Sequence, residues 1–222
     1  MSSILLVRHG QASFGAADYD ELSRTGHEQS RLLGAALAAR GVVPDLVVTG
    51  GMRRHAQTAA GVLDGAGWST PADVDRGWSE FDHLQVLAVH DQPTTAGGES
   101  EKAAFQRWFE EATRRWTSGD HDESYDESFA AFTARVGAAL DRLADALPRS
   151  GTAVVLTSGG PVAWAAASLL ADGEPTRTDL WLRLNPVSIN TGTSTVVRGS
   201  RGTTLVTFNA ADHLSPDLIT YR

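Results

Sequence analysis

Arg8-His9-Gly10 closes an unbroken apolar run, Ile4-Leu5-Leu6-Val7. A short run of this kind is a strand buried on both faces, as in a parallel sheet. Ligands of open α/β sheets bind beyond the carboxyl ends of the strands, so Arg8 and His9 stand where chemistry would be done. Arginine offers a rigid fork of donors that fits phosphate, and histidine an imidazole that can act as nucleophile or proton carrier near neutral pH. Gly10 breaks the strand and lets the backbone approach a ligand closely. Three other stretches carry chemistry of the same kind. Thr49 to Thr58 follows an apolar run and opens a helix, so Arg53 or Arg54 can face the same sheet edge, where helix amides also favour an anion. Trp78-Ser79-Glu80-Phe81-Asp82-His83 is acidic and aromatic, and Thr157-Ser158-Gly159-Gly160-Pro161 is a further strand-to-helix turn.

The elements that must position these residues alternate in the first half. A polar loop, Gln11 to Leu22, leads to Thr25-Gly26-His27-Glu28, which has capping-box spacing. The helix behind it carries Leu32, Leu33, Ala36, Leu37 and Ala39 and stops at Gly41. Leu46 to Thr49 is a second buried strand, and a helix runs from about Met52 to Leu63. This βαβα order is that of a parallel sheet with crossover helices. Residues 84–147 hold no strand signal. Leu84–Val89 is a short helix, Pro93–Gly98 a loop, and Ser100–Trp116 an amphipathic helix striped by Phe105, Trp108, Phe109, Ala112 and Trp116. Asp120–Glu127 reads as an acidic linker, and Phe129, Phe132, Val136, Leu140, Leu143 and Leu147 stripe another long helix. A helical lid inserted at about 84–125 is expected from this region. Alternation resumes with the strand Ala153–Thr157 and a helix Val162–Leu170, with Pro161 suited to the first turn. Thr178–Leu184 is ambiguous, and Ser188–Val197 and Thr203–Phe208 alternate as an antiparallel pair of strands. The fold class expected is α/β: three α/β/α layers, a mostly parallel sheet with one antiparallel edge, and a helical insertion.

Composition bounds the function. The 222 residues suit one domain with an insertion, and 41% apolar residues suffice for a sizeable core. A net charge of −8 without a basic block argues against a nucleic-acid surface. With no cysteine, disulfides and thiolate metal sites are excluded. No stretch reaches the roughly 18–20 apolar residues of a membrane helix, and the N-terminus lacks the long apolar region of a signal peptide, so none is expected. A cytoplasmic protein without membrane association is expected.

The ordered set of motifs resembles the histidine phosphatase superfamily, also called the phosphoglycerate mutase-like family. Arg8-His9-Gly10 follows a first strand, and Leu22-Ser23-Arg24-Thr25-Gly26-His27-Glu28-Gln29 is similar to the family's Leu-Ser/Thr-x-x-Gly-x-x-Gln. Arg54-His55-Ala56-Gln57-Thr58 is similar to its Arg-Ala-x-Gln-Thr, residues 153–170 to its second-half motif, and Asp212-His213-Leu214 to a common ending. The resemblance implies that His9 is a nucleophile that takes up the phosphoryl group, and that Arg8 and Arg54 clamp its oxygens. It implies that Glu80 is the general acid and then the base, with Asp82 a competing candidate. Gly10, Gln11, Ser13, His83, Ser158 and Gly159 complete the substrate-binding set. The two arginines supply the positive charge, so neither metal nor cofactor is implied. The chain departs from the family at Ser158, where a second catalytic His is expected. His83, three residues after Glu80, is the leading substitute, ahead of His90 and His213.

The function implied is a metal-independent phosphomonoester hydrolase acting on a phosphorylated small molecule. The alternatives are a phosphoglycerate mutase-type phosphotransferase, or a phospho-ligand binding protein with little turnover. A metal hydrolase built on Glu80, His83 and His9 is a more distant rival. Hydrolase is preferred to mutase because His55, Arg107 and Arg114 make no evident second phosphate site. A homodimer is left open.

Overall fold

The computed structural model describes residues 1–13, 20–91 and 100–221. In chain order the elements are β1 (Ser2–Arg8), α1 (Arg24–Ala39), β2 (Leu46–Thr49), α2 (Arg53–Ala66), β3 (Ala72–Val74), α3 (His83–Ala88), α4 (Glu101–Ser118), α5 (Phe129–Ala146), β4 (Thr152–Thr157), α6 (Gly159–Leu170), α7 (Glu174–Leu184), β5 (Thr193–Gly199) and β6 (Gly202–Ala210). The six strands form one sheet in the order β3-β2-β4-β1-β5-β6. β3, β2, β4 and β1 run parallel, and β5 and β6 are antiparallel to their neighbours. Helices flank this mixed, mostly parallel sheet, as the residue pattern predicts. The expected loop Pro93–Gly98 and part of Gln11–Leu22 lie outside the described residues.

Contacts group the chain into two units, Met1–Glu80 with Val136–Arg222, and Phe81–Arg135. The second is wider than the insertion expected at about 84–125. In the first, β1 and β4 sit at the centre because both their faces are apolar. Leu5 and Val7, Val47, and Val154 and Leu156 pack on Leu33 and Leu37 of α1 and on Ala59 and Val62 of α2. Leu32, expected in that stripe, is 37% exposed. Its place on the packed face is taken by Gly34, where a Cβ would stand 2.1 Å from the Val62 carbonyl oxygen and hold α1 off α2. The cap of α1 also differs from the capping box expected at Thr25: Ser23 is the N-cap, its hydroxyl accepting from Gly26 N. β5 starts only at Thr193. Residues 188–192, expected as strand, form instead a turn in which Thr191 holds φ = 59°. The ambiguous Thr178–Leu184 stretch is the end of a helix that starts at Glu174 behind a Pro in its first turn.

The second unit has its own aromatic core. Phe81 stacks on Trp116 with ring centroids 4.6 Å apart, and Phe129 and Phe132 meet Trp116 at 5.0 and 5.6 Å. Phe105, expected in the α4 stripe, is 46% exposed, and Ala104, Ala112 and Trp116 are the buried face. Among the described residues no helix is long and apolar enough to cross a membrane.

Candidate active site

β1 and β4 run side by side and end together, which sets His9 beside the turn after Thr157. His9 N donates to the Thr157 carbonyl at 2.7 Å. The Asn190–Thr191 turn closes on the same backbone: Thr191 N donates to Arg8 O at 3.0 Å, and Asn190 Nδ2 to His9 O at 3.1 Å. On the other side, Gly10 N donates to Thr58 Oγ1 at 3.1 Å and Gln11 N to Gln29 Oε1 at 2.8 Å. A Cβ on Gly10 would meet Gly26 O at 2.4 Å, and one on Gly26 would meet Gln11 O at 2.2 Å. Thus Gly26, Gln29 and Thr58 fix the path of the loop that carries His9.

The His9 ring has a defined tautomer. Its Nδ1 lies 2.7 Å from the Gly10 carbonyl oxygen. A carbonyl can only accept, so Nδ1 carries the proton and Nε2 keeps its lone pair. Burial, and then the charges of Arg54 and Arg8 and the His55 ring, push the pKa of His9 well below its ordinary value. At neutral pH the ring is a neutral base, the form a nucleophilic imidazole requires.

Around it, each residue of Ser158-Gly159-Gly160 meets a different functional group. Arg54 Nη2 donates to Ser158 Oγ at 3.4 Å. A Cβ on Gly159 would meet Asn185 Oδ1 at 2.9 Å with Arg8 Nε beyond it at 3.7 Å, and one on Gly160 would stand only 2.2 Å from Glu80 Oε1. Gly160 N donates to Glu80 Oε2 at 3.1 Å. α6 begins at Gly159, not at Val162 as the sequence suggests, so these amides belong to its first turn. Arg8, His9, Arg54, Glu80, Ser158 and Gly159 are therefore gathered at one end of β1 and β4.

The arginines are held differently. Arg8 Nη1 donates to the carbonyls of Ser188 and, at 3.0 Å, Tyr221. Arg54 Nη1 donates to Asp20 Oδ1 at 2.7 Å, while Asp20 Oδ2 accepts from Arg53 N at 2.8 Å. α2 has no cap from its own Met52 side chain, and Asp20 supplies one from a distance while orienting Arg54. Arg53 turns outward to Glu21 at 2.9 Å.

Asp20 is absent from the expected site, and His55, weighed there only for a second phosphate, stands beside Ser158. His55, in the first turn of α2 and fully buried, places Nε2 2.7 Å from Ser158 Oγ. Its ring centroid is 5.8 Å from that of His9. The signal was present, since His55 stands where the resembling motif has Ala, just as Ser158 stands where it has His. Burial, and then the charge of Arg54, lower the pKa of His55 to about 3, so its ring is neutral.

The other expected site residues have contacts of their own. Gln11 Oε1 accepts from Ser23 Oγ at 2.8 Å, toward the cap of α1. Ser13 N donates to Glu21 O at 2.7 Å in the bridge between Ala12 and Leu22. His83 is the first residue of α3, in the second unit, and Asp82 caps that helix by accepting from Leu84 N and Gln85 N at 2.9 and 3.1 Å. His213 Nε2 lies 2.9 Å from Thr191 Oγ1. Among the described residues no three His, Asp or Glu side chains gather as a metal ion would need.

Comparisons with known proteins bear on the family and the fold. A 2,3-bisphosphoglycerate-dependent phosphoglycerate mutase of Mesorhizobium japonicum is 29% identical over 134 residues, 57% of this chain and 57% of that protein. The chain thus matches little more than half of that relative's length. The structure of YhfR from Bacillus stearothermophilus superposes with a TM-score of 0.71 at 18% identity, over 96% of this chain and 99% of the other. A phosphoserine phosphatase from Entamoeba histolytica, solved with phosphoserine, gives a TM-score of 0.68 at 19% identity, over 97% and 100%. Likeness at such identities establishes the fold. The model of the histidine phosphatase superfamily (branch 1) matches residues 4–211, which takes in every group gathered at the sheet edge, and the chain belongs to that superfamily.

Proposed function

We propose that this chain is a phosphomonoester hydrolase working through a phosphohistidine on His9. The observation that carries the reading is the His9 ring, neutral and held by Gly10 O with its Nε2 lone pair uncommitted to a proton. In this mechanism Nε2 attacks phosphorus, and the N–P bond forms as the ester P–O bond breaks. The departing oxygen takes a proton from Glu80. Glu80 then removes a proton from water, whose oxygen bonds to phosphorus as the N–P bond breaks, releasing inorganic phosphate and neutral His9. Arg8 and Arg54 balance the charge on the phosphoryl oxygens throughout. Hydrolysis is preferred to phosphoryl transfer between substrate positions because Arg107, Arg115 and Arg135 of the second unit have acidic or phenolic partners within it. Arg115 Nη1 donates to Tyr125 at 2.7 Å, and Arg135 Nε to Glu127 at 2.8 Å. The substrate is a phosphorylated small molecule, and a cytoplasmic location goes with this reading.

The test is phosphate release from a panel of alkyl and aryl phosphomonoesters. His9→Ala should keep its fold and lose turnover by orders of magnitude. Glu80→Gln should lose far more on alkyl than on activated aryl esters, since a basic leaving oxygen needs the acid most. Turnover by folded His9→Ala within about tenfold of the parent would overturn the nucleophile, a change of only about 1.4 kcal/mol in barrier.

A further inference from the structure

We propose that His55 is a positioning residue of this site, acting through Ser158 so that the two together do the work of one donor to the phosphoryl group. The inference rests on the hydrolase reading above. Ser158 Oγ has one hydrogen and two lone pairs. The Arg54 guanidinium can only donate, so its Nη2 contact at 3.4 Å occupies one lone pair. If the His55 contact at 2.7 Å occupies the second, the hydroxyl hydrogen is left for a phosphoryl oxygen. If His55 accepts instead, that hydrogen is consumed.

The tautomer decides between these, and a bound phosphoryl group favours donation. Nε2 is the ring nitrogen with a formed hydrogen bond. Nδ1 is buried against Gly50 and meets no acceptor in hydrogen-bond geometry, although the Gly50 backbone raises the pKa of the ring and favours a proton on that nitrogen. The Ser158 bond forms in either tautomer, and a phosphoryl oxygen tips the balance: with the proton on Nε2 the serine hydroxyl is released to make a charge-assisted bond to it. His55 and Ser158 are both 0% exposed, and His9 and Arg54 are 5% and 6% exposed, so the pair acts where water does not compete. His55 therefore touches no substrate in this scheme. It sets the direction of the donor that does.

Two measurements test it. The first compares turnover of para-nitrophenyl phosphate by the parent, Ser158→Ala, His55→Ala, His55→Gln and the double variant Ser158→Ala/His55→Ala. Ser158→Ala removes a hydroxyl with little change of volume, so its folding is not in question. If the pair is one donor, each alanine variant should lose kcat by roughly 100-fold with KM little changed, and the double variant should lose no more than either. His55→Gln, whose amide can still donate to Ser158, should recover most of the loss. A near-neutral Ser158→Ala, or losses that multiply in the double variant, would overturn the proposal. The second reads the tautomer without turnover. Two-bond proton–nitrogen correlation spectra of the parent with inorganic phosphate should show His55 protonated at Nε2, the signal identified by its absence in His55→Gln. Protonation at Nδ1 alone would overturn the proposal even in an active enzyme. A protein that shows the Nε2 form but hydrolyses no phosphomonoester would leave this pair standing and remove the hydrolase reading instead.

Discussion

Arg53 and Arg54 are adjacent in sequence and opposite in fate. Asp20 caps the helix that both residues open and draws the Arg54 guanidinium inward, leaving its side chain 7% exposed, against 51% for Arg53. Three-residue spacing to Gln57 picks the same residue from sequence. Gln57 Oε1 accepts from Leu22 N at 2.8 Å, which ties α2 to the segment that supplies Asp20. Arg54→Ala should therefore weaken inhibition by vanadate by roughly 10–100-fold, the worth of about one charge-assisted hydrogen bond. Arg53→Ala should leave it unchanged, and an exchange of these phenotypes would put the register one residue off. At this scale the sequence was legible wherever a residue sits in a linear motif: Arg8, His9 and Arg54 are examples. It was not legible where the partner is remote in sequence. Asp20 reaches across 34 residues to Arg54, and His55 across 103 to Ser158. Nothing in local spacing announces either contact.

The elements were read well where both faces are apolar, as in β1, β2 and β4, because burial on both sides leaves an unbroken run. Ends were read less well, because ends are set by hydrogen bonds rather than by periodicity. Ser23 caps α1 two residues before the expected box. Alternation predicts strand across Asn190–Thr191, whereas the polar side chains there are committed to the His9 backbone, to Thr220 and to His213. The most consequential misplacement is the start of α6, since its first turn carries the Glu80 contact. A glycine to alanine change inside a helix ordinarily gains about 0.5–1 kcal/mol. At Gly160 the new methyl would stand 2.2 Å from Glu80 Oε1, and the flexible carboxylate would have to move. Gly160→Ala should therefore fold and yet lose kcat/KM on alkyl phosphates more than on aryl phosphates. An unchanged ratio between the two substrate classes would mean that Glu80 does its work from another place.

For the whole molecule, the cost of assembling the site appears in its pH dependence. His55 and His9 are buried as neutral rings, and both have lowered pKa values in the fold. Unfolded, each returns to about 6.5 and takes up a proton first as the pH falls. The unfolded chain then binds more protons than the folded one, so stability contributed by these rings is complete above pH 6.5 and is lost from there down toward about 3 for His55. Thermal melts should show Tm falling between pH 7 and pH 4, with a smaller fall in His55→Gln. A Tm loss over that range identical to the parent's in His55→Gln would contradict the burial of a neutral His55. The broad organisation, an α/β sheet interrupted by a helical stretch, was legible because strand signal disappears over residues 84–147. The width of the second unit was not, since Phe81 and Phe129–Arg135 join it through an aromatic cluster that has no linear signature.

Every one of these effects converges on whether His9 carries the phosphoryl group. The direct measurement is rapid acid-free quench of the enzyme during turnover of an aryl phosphate, followed by mass spectrometry of its peptides under alkaline conditions. The expected result is one phosphoryl adduct on the peptide holding Arg8-His9-Gly10, localised to His9, lost on acidification and absent from His9→Ala. Turnover with no adduct at His9, or with the adduct on another residue, would contradict the mechanism.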